Sequence, residues 1–386
     1  MSGEVVIRHV PKIEGHMNFT VVIREGRVVG ARAEALEGVR LLERLLIGKR
    51  YDEVPDVASR MCGVCQAIHR LTAVQAIEAA LGVELPEKLM MVRRLVGMIG
   101  HLHSHILHLF MFVLPDFTGH DSIIDMVGRY GRVVGTVLRL KRLVANMMEV
   151  VGGRAVHQVT PIVGGFSRLP TRRELEVLLN MGREFYRTLR EAVEWVLSLE
   201  MPRFERRTHY VALRHDREFP LLRGEVSVDG ELRFRAPEYE RYIMYVTEEY
   251  SMARHYLLRV DGRGEYMVGA LSRLNINYDR LSDGARELAQ TYGLRFPSYC
   301  PFAYNRAQAL EMVHERAEGG SVVYVDIGSP HAKLIHELSE RHGTLAVILD
   351  HHDAPNYQAE GLFNINPEFF GFDGERDASG STVTYL

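Results

Sequence analysis

Three long stretches, residues 86–114, 122–151 and 172–199, carry apolar residues at helical spacing, and they leave the chain little choice of fold class. Long helices draw most of their stability from packing an apolar side against a neighbour, so three of them dictate a bundle. Pro170 and Thr171 mark the start of the third, with Thr171 as its N-cap. Shorter helices are expected at 36–47, where Leu41, Leu42, Leu45 and Leu46 recur, and at 63–81, with Leu71, Val74, Ile77 and Leu81 on one side. Further helices are expected near 238–258, 277–293 and 302–318. Residues 4–10 and 17–35 read as strands with a hairpin turn at Glu25-Gly26, and 203–240 as a small β region.

The pattern changes at Glu318-Gly319-Gly320. Beyond it, SVVYVDIGS and TLAVILDHH read as buried strands on either side of a helix at 330–342, a parallel α/β unit. The fold class expected is therefore α+β, mainly α. Residues 1–318 form a helical-bundle core with small β regions, and residues 319–386 form a partial parallel-sheet α/β segment.

At 46% hydrophobic and 25% charged residues, the 386-residue chain has ordinary globular composition, and a net charge of -3 gives no broad basic surface for nucleic acid or acidic membrane. The start, MSGEVVIRHV, lacks the basic and apolar regions of a signal peptide. The most apolar helical stretch, His105 to Leu114, is broken by histidine and too short to span a bilayer. A soluble, cytoplasmic protein is expected.

Only three cysteines occur, Cys62, Cys65 and Cys300, which is too few for a disulfide scaffold. Cys62 and Cys65 stand three apart at the start of a helix, a spacing that grips one soft metal ion. The helix N-terminus and Arg60 are both expected to lower their thiol pKa values. His69 lies one turn beyond Cys65, where it can hydrogen-bond a sulfur. A bare CxxC is equally a structural zinc knuckle or a pair of buried thiols.

The longer string, Arg60-Met-Cys62-Gly-Val-Cys65-Gln-Ala-Ile-His69, resembles the RxCGxCxxxH signature of nickel–iron hydrogenase large subunits. Five further segments resemble that family in the same order: VPKIEGHMNFTV, VRLLERLLIGKRYDEVP before the cysteines, HSHILHLFMFVLPDF, GGRAVHQVTPIVGGFSRLP and PSYCPFAYNRAQALEMVHE, the last notably in cytoplasmic multi-subunit enzymes. The likeness covers roughly residues 4–317. Pro11 and Lys12 replace the family's usual Thr and Arg. The resemblance implies that Cys62 and Cys65 are a terminal and a bridging thiolate of a Ni–Fe centre whose iron carries CO and cyanide. It implies that Glu14 relays protons from the cysteine, that Glu43 binds magnesium, and that Arg60, His69 and Asp116 surround the centre. The implied activity is reversible heterolytic oxidation of H2 and reduction of protons. The implied partners are an iron–sulfur small subunit, together with electron-transfer subunits, because this chain lacks the cysteines to hold such clusters. The family's second thiolate pair, in a C-terminal DPCxxCxxH motif, has no counterpart here. The resemblance therefore implies an impaired centre, or a non-catalytic scaffold for a small subunit.

The tail, VVYVDIGSPHAKLIHELSERHGTLAVILDHHDAP followed by NINPEFFGFDGERDASGSTVTYL, resembles the DHH phosphoesterase family, in particular archaeal RecJ-like nucleases. That likeness implies a partial manganese site. By the same likeness Asp326 matches the bridging carboxylate, Asp350 its buttress, His351 a ligand and His352 a phosphate contact, with nucleic acid an expected partner if the segment functions. The family's upstream Asp-x-Asp is absent, so the tail is expected to be a fused fragment.

Overall fold

A computed structural model describes residues 3–37, 41–259 and 264–317, together with 322–325, 333, 346–349 and 362–365. The chain opens with an antiparallel sheet of order β1-β2-β3, formed by β1 (Gly3–Ile7), β2 (Met17–Arg24) and β3 (Arg27–Ala35). Glu25 and Gly26 both take positive φ, 51° and 74°, as a two-residue hairpin turn between right-twisted strands requires. Only Thr20 in this sheet is buried, and its hydroxyl donates to Glu34 at 2.8 Å. Of the helix expected at 36–47, α1 (Leu41–Leu46) is described and buries none of its residues, while residues 38–40 lie outside the described residues. Two helices follow, α2 (Val54–Ser59) and α3 (Gln66–Leu81), the latter ending at Gly82 in the left-handed region.

The core is organised around one rod. It begins as α4 (Glu87–His105), widens into a π-helix over Ile106–Val113, and ends as α5 (Leu114–Thr118). The rod from Glu87 to Thr118 is long and apolar enough to cross a membrane by length and composition, unlike the shorter stretch read from the sequence. In this fold it is the core helix, with Val96, Ile106 and Phe110 fully buried. The rod packs on α6 (Val127–Gly152), which in turn lies along α7 (Arg172–Ser198). Residues Val137, Leu140, Val144, Met148 and Val151 of α6 face Leu189, Val193 and Val196 of α7 in one apolar cluster. The expected cap is present: Thr171 Oγ1 accepts the Glu174 N–H, and the Glu174 carboxylate accepts the Thr171 N–H at 2.7 Å.

Between α6 and α7, a small hairpin of β4 (Pro161–Ile162) and β5 (Gly165–Phe166) is tied down by buried arginines. Arg93, wholly buried, makes a two-point ion pair with Glu78 and donates to the Ile162 carbonyl at 2.9 Å. Arg70 donates to the Pro161 carbonyl at 2.7 Å.

The β region is larger than the sequence suggests. Strands β6 (His209–Arg214), β7 (Glu225–Val228) and β8 (Leu232–Phe234) are followed by the one-turn α8 (Tyr239–Tyr242), then by β9 (Ile243–Thr247), β10 (Arg254–Leu258) and β11 (Tyr266–Met267). β9 and β10 form an antiparallel hairpin, and β11 runs parallel to β6 in the sheet β11-β6-β7-β8. The helix expected at 238–258 is thus mostly sheet. Tyr245, Val246, Thr247 and Tyr256 favour the extended state, and Tyr245 lies directly opposite Tyr256. The helix expected at 277–293 shortens to α10 (Asp283–Thr291), which Ser282 caps after a 3-10 turn, and α9 (Ala270–Asn277), just before it, was not anticipated. α11 (Ala303–Ala317) falls where expected and packs on α4, α7, α9 and α10.

At the C-terminal end, β12 (Val322–Val325), β13 (Ala346–Leu349) and β14 (Leu362–Ile365) form a parallel sheet of order β12-β13-β14. The two strands read from the sequence are present, and the third was not anticipated. Apart from Lys333, the helix expected at 330–342 lies outside the described residues, as do Asp326, Asp350, His351 and His352.

Candidate metal centre

The CxxC motif occupies the turn between α2 and α3. Cys65 is the residue preceding the first turn of α3, and Cys62 lies buried three residues before it. The backbone N–H groups of Val64 and Cys65 both donate to Cys62 Sγ, at 3.3 and 3.1 Å. Two backbone donors aimed at one sulfur fix its direction. One turn on, His69 brings its ring to the same place, and one ligand atom each from Cys62, Cys65 and His69 lies within 4.8 Å of the others. Burial lowers the His69 pKa, which keeps the imidazole neutral and able to ligate.

Neighbouring elements hold the turn in place. His157, in a backbone of positive φ, bonds through Nδ1 to the Ser59 carbonyl at 2.9 Å. Ser104, on α4, donates to the Val64 carbonyl at 3.4 Å. Arg70 pairs with Asp56 of α2. Gly100 of α4 presses against α3, and a Cβ there would meet Ala67 Cβ at 2.9 Å, two residues past Cys65.

The expectation for Cys65 is overturned. Burial pushes its thiol up to about 12, and the hydrogen bond and charge of Cys62 push the same way. At this half-buried position desolvation outweighs the helix N-terminus. Arg60 does not counter it: its guanidinium turns back to the Asp56 carbonyl at 2.7 Å. Glu14 is exposed, yet near enough that its charge also raises Cys65. Asp116, at the end of the rod, pairs with Lys12 of the loop carrying Glu14. That pair borders a cavity also lined by His108, Phe112 and His120. Glu43 lies exposed in the first turn of α1, outside the Cys62, Cys65 and His69 group. Cys300 is also apart from that group, with its sulfur 3.6 Å from the Pro202 carbonyl.

A second polar cluster went unread in the sequence. His105 Nε2 meets Glu311 at 2.8 Å, Gln308 joins His105 at 3.1 Å and His108 at 2.7 Å, and Arg273 donates twice to Glu311. Burial works to raise the Glu311 carboxyl, but Arg273 and His105 overcome it and hold the group far below its ordinary range. Burial also takes His101 down to about 4. The only signal for this cluster was histidine recurring through an otherwise apolar helix.

A family model described as nickel-dependent hydrogenase matches residues 40–126, which contain the CxxC turn and the rod. The alpha chain of sulfhydrogenase 1 from Pyrococcus furiosus is 34% identical over 318 residues, 81% of this chain and 73% of that protein. The chain belongs to the nickel-dependent hydrogenase family. A second hydrogenase relative, from the vhu F420-non-reducing hydrogenase of Methanocaldococcus jannaschii, is 30% identical, over 84% of this chain and 83% of its own length. Among solved hydrogenases, an NAD+-reducing NiFe hydrogenase in the H2-reduced state superposes with a TM-score of 0.74 at 25% identity, over 81% of this chain and 76% of that one. The Ni-Fe-Se hydrogenase from D. vulgaris Hildenborough shares the fold, with a TM-score of 0.65 at 19% identity.

Hydrogenase relatives imply a nickel–iron centre, and the donors fit it in part. Cys62 and Cys65 are soft, adjacent and supported by N–H donors, as one side of a thiolate-bound centre requires. A set of four thiolates is not offered by a chain whose third cysteine faces Pro202.

Proposed function

We propose that this chain serves as the large, or alpha, subunit of a cytoplasmic multi-subunit nickel–iron hydrogenase, in the reversible heterolytic oxidation of H2. The observation that carries this reading is the CxxC turn itself: two sulfurs, two N–H donors on Cys62 and a neutral imidazole, inside the segment matched by the nickel-dependent hydrogenase model. Cys62 and Cys65 are the metal-holding thiols. Nickel and iron, the iron carrying CO and cyanide, supply the chemistry at H2 when bound. Glu14 takes up or returns the proton at the Cys65 sulfur, the thiol on which its charge acts. Asp116 and Lys12 anchor the Glu14 loop to the rod, Arg60 flanks the thiols, and Glu43 binds magnesium. An iron–sulfur small subunit, with further electron-transfer subunits, carries the electrons. Cys62 and Cys65 are two of the four thiolates such a centre takes, and activity depends on the second pair as well.

The test is metal content by mass spectrometry after expression with nickel, iron and hydrogenase maturation factors. Stoichiometric nickel and iron, with infrared bands from CO and cyanide, both lost in Cys65→Ser, support the reading. Zinc alone, or no metal, overturns it.

A second reading concerns residues 319–386, taken as a partial DHH phosphoesterase unit fused to the hydrogenase part at 1–318. The parallel order β12-β13-β14 favours it, since ligands in open α/β sheets gather at the carboxyl ends of parallel strands. Asp326 and Asp350 follow β12 and β13 in the sequence, with His351 and His352 next. Manganese-dependent phosphodiester hydrolysis that disappears in Asp326→Ala and His351→Ala is the expected result. Hydrolysis unchanged in both variants removes the reading.

A further inference from the structure

We propose that His108 is a proton acceptor for the hydrogenase reaction, presenting an unprotonated Nε2 to the cavity beside the Glu14 loop, and that Gln308, His105 and Glu311 hold it in that form. The inference rests on the proposed function, in which a proton leaves the Cys65 sulfur through Glu14, and adds a group that receives protons beyond Glu14.

The placing of protons in the buried cluster is fixed from its far end. Glu311 is buried and held as a carboxylate by Arg273, so it only accepts hydrogen bonds. His105 Nε2, 2.8 Å from it, therefore carries a proton. Arg273 already balances the Glu311 charge, so a second buried cation is unfavourable and His105 carries that one proton only. Its Nδ1 is then an acceptor, and takes the Gln308 amide N–H at 3.1 Å. This turns the amide oxygen of Gln308 toward His108. An amide oxygen only accepts, so His108 Nδ1, at 2.7 Å, is the donor. The neutral His108 ring is left with its lone pair on Nε2. Burial lowers the His108 pKa, against the pull of the Gln308 bond, which keeps the ring neutral and ready to accept.

His108 lines a cavity of about 510 Å³ together with Lys12, Asp116, His120 and Asp121, and its Nε2 takes no hydrogen bond among the described residues. From α11, Tyr304 meets the ring edge to face and Gln308 bonds Nδ1, while His105 lies one turn back along the rod. The Lys12–Asp116 pair pins the Glu14 loop at the rim of the same cavity. His120 reaches the same tautomer by another route. The Thr118 hydroxyl gives its proton to the Leu114 and Pro115 carbonyls, so its oxygen accepts the His120 Nδ1–H at 3.0 Å and leaves that Nε2 open as well. A proton entering at His108 Nε2 makes an imidazolium whose charge is shared along the aligned bonds to Glu311. It leaves to solvent from the same nitrogen, and the protons of Gln308 and His105 stay where they are.

The experiment has two arms. The first is nitrogen NMR of the metal-free full chain labelled at histidine, with the His108 signals assigned by their loss in His108→Gln. The neutral ring should show Nδ1 protonated and Nε2 bare. Gln308→Leu removes the acceptor and should move the proton toward Nε2. Gln308→Glu should keep it on Nδ1 and raise the His108 titration midpoint by about one pH unit or more. Circular dichroism confirms that each variant folds. The second arm is the exchange of deuterium gas with solvent protons in the matured complex with its small subunit. His108→Gln should slow exchange at least about tenfold, with metal content and the CO and cyanide infrared bands unchanged. A proton on Nε2 of the parent ring, or exchange at the parent rate in His108→Gln, overturns the proposal. A complex that never acquires nickel and iron removes the hydrogenase reading and this role with it. One that acquires both, and exchanges at the parent rate in the variant, removes this inference alone.

Discussion

The Cys65 thiol shows how strongly surroundings govern a side chain. An ordinary cysteine is partly ionised at pH 8, whereas a thiol with its pKa near 12 is almost wholly protonated there. Because the thiolate is the nucleophile, iodoacetamide should label Cys65 in the metal-free chain at least about a hundredfold more slowly than a free cysteine, as read by peptide mass spectrometry at pH 8. Labelling at the free-thiol rate would show that Cys65 is not desolvated. Arg93 is an equally demanding residue: its charge is fully buried and met by Glu78 and the β4–β5 carbonyls. Glu78→Ala leaves that charge unpaired and should cost about 3–5 kcal/mol in urea unfolding. The metal motif was legible in the sequence because two cysteines and a histidine at one-turn spacing stand out in a chain so poor in cysteine. The pKa of Cys65 was not, because desolvation depends on what α4 and the 153–160 loop bring over the turn.

Among elements, the α3–α4 contact bears most directly on the site. At Gly100 the two helices approach so closely that any side chain must push α3 away, beginning at Ala67. Gly100→Val should lower stability by about 1–3 kcal/mol in thermal unfolding and, by moving Cys65, lower the metal bound after maturation. A melt and metal content like those of the parent would show that the approach is not tight. The long helices were readable because their apolar stripes run for many turns and Thr171 caps one of them in the expected way. The β9–β10 hairpin was not readable, because its apolar residues also suit a helix and the pairing of Tyr245 with Tyr256 is visible only in the sheet. The π-helix over Ile106–Val113 was equally hidden, since its wider turn leaves no mark in an apolar run.

For the whole molecule, stability should depend on acid through buried histidines. His314 lies against Phe219 and accepts the Ser282 N–H at 3.0 Å, which requires an unprotonated Nδ1. Burial holds it near pH 4, and His101 behaves in the same way. Since the unfolded chain binds these protons from about pH 6.5 downward and the folded chain does not, stability is complete above pH 6.5 and is lost as pH falls toward 4. Each histidine accounts for on the order of 3 kcal/mol over that window. A pH series of thermal midpoints should therefore slope downward below 6.5, and His314→Gln should make the slope shallower. A flat series would show that neither ring is excluded from water.

The His105–Glu311 pair joins residues separated by most of the chain, and that separation carries a cost in time. A chain emerging from the ribosome can form α3, α4, α6 and the Arg93–Glu78 pair early, but His105 has no carboxylate to meet until α11 has been made. Synthesis at about 5–20 residues per second leaves the rod open on that side for roughly ten seconds or more. Closure of so distant a contact is slow in its own right. The newly made protein thus leaves His105 and His108 without their α11 partners for much of its early life.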